Sequence, residues 1–150
     1  MKIGPELQAV IDRMAPGALC RDGFLGKDKR TLMDIIAADR VAVEALGTSC
    51  EVLGERLRSI LKDAMAAQGR AVQVSENIKA VYTTAMGRIP SPWPGEGVFP
   101  KGEIELGDAR TGKKILFTPL SVHMIAEHGF FQGRFSRYRI EPEVLVGMLD

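Results

Sequence analysis

The stretch Thr31–Gly69, TLMDIIAADRVAVEALGTSCEVLGERLRSILKDAMAAQG, decides the fold class. Leu32, Ile35, Ile36, Val43 and Leu46 recur at helical spacing after Thr31, with Asp34 placed to complete a capping box and Gly47 placed to stop the helix. Thr48 and Glu51 stand in the same relation, and Leu53, Leu57, Ile60, Leu61 and Ala64 form a second stripe that ends before Gly69. Two amphipathic helices, over about 31–46 and 50–67, separated by so short a connection form an antiparallel αα-hairpin.

Working outward from this hairpin, Pro5 opens a shorter helix whose stripe is Leu7, Val10, Ile11 and Met14, closed by Ala15-Pro16-Gly17. The segment Leu19–Lys27 carries Leu19, Phe24 and Leu25 among glycines and reads as an ordered loop pinned to a core. Past Gly69 the period falls to two. A β-hairpin is expected over about 70–85, around Ser75-Glu76-Asn77, and a second over about 102–118, around Gly107–Gly112. Ile78, Val81, Tyr82 and Ala85 also fit a helical face; β-branched and aromatic composition selects the strand.

Arg88–Pro100 holds Pro90, Pro92, Pro94 and Pro100, which excludes a helix and most ladder pairing and leaves a long crossing loop around Trp93. Thr118-Pro119 starts a short helix ending at His128-Gly129, and Glu141-Pro142 starts a last one. The expected architecture is one α+β domain, 1–150: an N-terminal helical layer with the αα-hairpin packed on a small antiparallel sheet, then two short C-terminal helices.

Composition narrows the function classes. The chain has 150 residues, of which 45% are hydrophobic and 26% charged, enough for a core without staples. Its formal charge of +1 gives no general attraction to nucleic acid or anionic lipid. The two cysteines, Cys20 and Cys50, are too few for a disulfide framework or an all-cysteine zinc site. The opening MKIGPELQAV lacks the apolar core of a signal peptide, and no run is long and apolar enough to span a membrane. The expectation is a soluble, cytoplasmic protein.

The chain's two histidines, His123 and His128, share one helix with Glu127. At about 100° per residue His123 and Glu127 share a face while the histidines are roughly 140° apart. His123-Met124-Ile125-Ala126-Glu127-His128 is also one residue too long for either zincin pattern. On this reading no metal is expected; His123 and Glu127 are the one candidate ligand pair, against the alternative of an exposed helix pair. His128 reads as a complement to the carbonyl end of its helix.

Asp39 falls in the middle of an apolar stripe and must meet a cation, cap backbone N–H groups, or reach a ligand. Together Asp39 and His123 would make an acid–base pair, the candidate catalytic residues, but no nucleophile accompanies them, so whether a reaction is catalysed stays open.

The segment Gly129–Arg139 interleaves Phe130, Phe131, Phe135 and Tyr138 with Arg134, Arg137 and Arg139. It reads as a plug with arginines at solvent or paired to Glu141 and Glu143, or as a surface for an anion. The favoured function is a small binding or interaction protein. Its ligand surface lies in 123–139, with Arg134, Phe135, Arg137, Tyr138 and Trp93 as binding residues and a small anionic ligand or protein as partner; nucleic acid is not favoured. The alternatives are a metal-assisted or general-base hydrolase using His123, Glu127 and Asp39, and an oligomer-forming structural protein. The cofactor is unknown.

Overall fold

Side-chain caps set the helical pair. In the structure, a computed structural model that describes residues 3–150, Thr31 Oγ1 accepts the Asp34 N–H at 3.1 Å and opens α2 (Leu32–Ala45). α1 (Pro5–Arg13) precedes it, and Met1 and Lys2, from the stretch read for a leader, lie outside the described residues. α3 (Cys50–Ala66) is capped by Ser49, whose hydroxyl accepts from Val52 N, and not by Thr48. The shift of one residue costs nothing locally because either side chain can cap. Packing chooses between them, since this start buries Cys50, Leu53, Leu57, Ile60 and Ala64 together. Leu46, expected in the stripe, is instead the half-exposed end of α2, where the chain turns through Gly47 at φ 84°.

β1 (Val72–Gln73), β2 (Ile78–Thr83), β5 (Glu103–Asp108) and β6 (Lys114–Phe117) form one antiparallel sheet in the order β1-β2-β5-β6. Ala80 faces Leu106, which faces Ile115, and Tyr82 faces Ile104, which faces Phe117, so one pleat face is continuously apolar. That face closes on Leu53, Leu57 and Ile60 of α3, on Val122 and Ile125 of α4 (Pro119–His128), and on Leu145 and Met148 of α5 (Pro142–Leu149). Each fully buried Leu, Ile or Phe contributes about 1.5–3 kcal/mol of transfer free energy. The expected α+β architecture, with helices at both ends and two β-hairpins in one antiparallel sheet, is the one observed; α2 and α3 follow one another as expected, but α3 packs along α4 and α2 against α5 instead of pairing with each other as an αα-hairpin.

The proline segment departs from expectation. Far from being a loop throughout, it folds as a two-stranded ribbon, β3 (Arg88–Pro90) with β4 (Val98–Pro100). The ladder bonds run through odd-numbered residues, with Lys101 N donating to Gly87 O and Ser91 N to Gly97 O. Pro90 and Pro100 therefore occupy positions whose backbone nitrogen points away from the partner strand, where a missing N–H removes nothing.

A second core lies on the other side of α4. Leu120, Met124 and Phe130 pack there with Val10 and Met14, with Phe24 from the loop after α1, and with Leu32 and Ile35. Trp93, Ile89 and Phe99 of the ribbon cover it. α4 is thus buried between two cores, and Gly54 lets it lie close on α3: a Cβ at Gly54 would stand 2.5 Å from Ala126 Cα. Cys20 and Cys50 are free thiols, and among the described residues no helix is long and apolar enough to cross a membrane.

Candidate metal centre

α4 is fixed at both ends before it presents any chemistry. Thr118 Oγ1 accepts from Ser121 N and Ser121 Oγ accepts from Thr118 N, both at 3.1 Å, while Pro119 starts the first turn and Gly129 ends the helix at φ 63°. The tip of the β3–β4 ribbon is held against this helix from three sides. Arg13 of α1 donates to the Pro92 and Ser91 carbonyls at 3.0 and 2.6 Å, the Trp93 indole stacks on His128 at 3.9 Å with 4° between the planes, and Phe99 lies 4.8 Å from the His123 ring. Trp93 also meets Phe130 edge-on at 5.8 Å, which ties the stack to the second core.

The ribbon tip delivers Glu96 to both histidines. Its Oε1 accepts from His123 Nε2 at 2.8 Å and from His128 Nε2 at 2.7 Å. All three side chains are partly buried, and the three donor atoms lie within 4.8 Å of one another. Burial pulls the Glu96 carboxyl upward, but the hydrogen bonds from His128 and His123 outweigh it and hold the group below its ordinary value. A Zn²⁺-type ion sits about 2.0–2.2 Å from imidazole nitrogen and carboxylate oxygen, which puts neighbouring donors roughly 3 Å apart. Glu96 Oε1 already stands near that separation from each Nε2, so the three groups could close on one ion in place of the two Nε2–H protons that now bridge them. Glu96 and Trp93 also border a cavity of about 470 Å³ that Pro5, Glu6 and Val10 of α1 close on the other side.

The angular argument from helix periodicity, which paired His123 with Glu127, does not describe this site. Glu127 is exposed and accepts from Arg58 Nη2 of α3 at 2.8 Å, which holds its carboxyl low. His123 and His128 converge in spite of their angular offset because the third group comes from another element and lies across the gap between them, with His128 in the last turn. Glu96 had no mark in the sequence beyond a single carboxylate in PSPWPGEGVFP, with Trp93 and Phe99 on either side.

Asp39 is buried, 5% exposed, and its two oxygens receive Arg139 at 2.5 and 2.9 Å; it does not meet His123, so the structure does not assemble that acid–base pair. Arg139 is shared with Glu141 and the Gln132 carbonyl, and although burial opposes its charge, the carboxylates of Asp39 and Glu141 raise its pKa. Arg137 and Tyr138 both donate to Glu103 Oε1. Arg134 and Phe135 are exposed. Trp93 stands apart from this loop, in the histidine stack. Comparison of the chain with protein-family models, with curated proteins and with solved structures gives no match.

Proposed function

We propose that the protein binds a single divalent transition-metal ion through Glu96, His123 and His128. The observation that carries the reading is the convergence of two imidazole nitrogens on one carboxylate oxygen, from a capped helix and a clamped ribbon tip. Imidazole with carboxylate suits zinc, iron, manganese or cobalt better than calcium or magnesium. A buried carboxylate that only needed neutralising would be served by one cation, as Asp39 is by Arg139. Trp93 and Phe99 restrict ring rotation on either histidine, the support that a ligand set requires.

Three protein donors leave at least one coordination position for solvent or substrate, the mark of a catalytic rather than a structural centre. The cavity bordered by Glu96 supports a second reading, a metal-assisted hydrolase in which the ion activates water. In that reading Glu96 takes the place expected for Glu127 and Asp39. Elemental analysis of untagged protein, beside Glu96→Ala and His123→Ala, tests the metal assignment. Near-stoichiometric metal in the wild type and its loss in both variants is expected; no metal uptake after incubation with zinc, manganese or ferrous iron would overturn it.

A further inference from the structure

The loop after α1 and the loop after α4 interlock. Lys27 N donates to Arg134 O at 2.9 Å and Gly133 N to Phe24 O at 3.0 Å, and Asp28 accepts both from Arg30 and from Arg134 N. The approach is close enough that a Cβ on Gly133 would stand 2.0 Å from Leu25 O. With the base of the β3–β4 ribbon these loops border a half-open cavity of about 680 Å³, inside the ~300–1,000 Å³ range of small-molecule sites.

Three features of its lining point to one kind of occupant. Phe24, Ile89 and Leu120 form an apolar floor, while Phe135 and Met86, 82% and 96% exposed, stand in the lining as apolar groups with no cover. Phe135 and Gln132 both have left-handed backbones, φ 67° and 71°, a conformation L side chains rarely adopt and one that clusters at ligand clamps. Gln132 is 3% exposed, and its Oε1 accepts from Ser136; among the described residues its amide nitrogen has no partner. No fully buried polar side-chain atom among those residues lacks one, so this N–H₂ keeps an accessible surface, and Gln132 is one of the residues that line the cavity.

The charge on the lining is cationic. Arg137 is committed to Glu103, but Arg21, Lys27 and Lys101 have no carboxylate within 4.0 Å among the described residues, against Asp22 as the lining carboxylate without a cation. We propose that this cavity binds an organic carboxylate with an apolar body, its head met by Lys27, Lys101 and the Gln132 amide and its body covered by Phe135 and Met86. The proposal uses none of the metal-binding residues and stands independently of the metal centre.

Calorimetric titration of the full chain with octanoate, acetate and octan-1-ol tests it. Octanoate is expected to bind saturably at one per chain, with octan-1-ol and acetate each at least about tenfold weaker. A Lys27→Gln/Lys101→Gln variant is expected to lose about tenfold in octanoate affinity and nothing for octan-1-ol, and Phe135→Ser to weaken both. Both variants change exposed side chains, and unchanged melting temperatures separate lost binding from lost folding. Absence of saturable octanoate heat, equal affinity for octanoate and octan-1-ol, or octanoate affinity untouched by both variants would overturn the proposal.

Discussion

Asp39 and Glu96 are both carboxylates drawn into apolar surroundings, and they are satisfied in opposite ways. Asp39 meets a guanidinium that matches it oxygen for nitrogen, and the spare Arg139 donors are taken up by Glu141 and the Gln132 carbonyl. Nothing is left over, and the pair ties α2 to the segment before α5. Glu96 instead receives two imidazole donors on the same oxygen, in a partly open site beside a cavity. The closed ion pair leaves no donor free, whereas a carboxylate with two imidazoles and room beside it has the geometry on which the proposed metal site rests.

Breaking the Asp39–Arg139 pair should cost the most stability. Asp39→Ala leaves the buried Arg139 with Glu141 as its one remaining carboxylate and should cost about 3 kcal/mol in denaturant unfolding, whereas replacing both residues by leucine and methionine should restore most of the loss. Metal affinity should stay at the wild-type value in the double variant. On the open side, His128→Ala should lower zinc affinity by about a hundredfold or more, with a stability change of only about 1 kcal/mol. Trp93→Leu keeps every donor but frees the His128 ring, and competition with a chromophoric chelator should read a loss of about tenfold.

Asp28 offers a third carboxylate, closed like Asp39. Hydrogen bonds from Arg30 hold it far below the usual carboxylate range against the opposing effect of burial, and its side chain is 2% exposed. Because its folded pKa is depressed, its stabilisation is present above the unfolded value of about 4 and disappears as pH falls below it. Wild-type stability should therefore drop more steeply below pH ~4 than that of Asp28→Asn, in urea titrations at stepped pH. The smallest effect belongs to Glu127→Ala, which should leave zinc affinity unchanged, since Glu127 pairs with Arg58 and not with the histidines.

Asp39 was legible in the sequence because a helix repeats: a charged residue in a row of Leu32, Ile35, Ile36 and Val43 has no solvent to face, and an arginine was among its expected partners. The capped helices and the two large β-hairpins were legible for the same reason, as periods bounded by glycine and proline. The β3–β4 ribbon was not, because a proline's effect on a strand depends on whether its nitrogen faces the partner, and that parity exists only once the pairing is known. Glu96 was hidden with it. The histidines misled in a different way: angular spacing on one helix limits ligands that meet a common point from that helix, and here the common point is carried by another element.

His123 Nε2, His128 Nε2 and Glu96 are proposed to hold one metal ion, and the chain's two histidines make its binding directly observable. Long-range proton–nitrogen correlation spectra of the imidazoles should be recorded before and after one equivalent of zinc. The Nε2 resonances of both rings should move together, saturate at that single equivalent, and stay unmoved in Glu96→Ala. Rings that do not respond, one ring responding alone, or an identical response in Glu96→Ala would contradict the metal assignment.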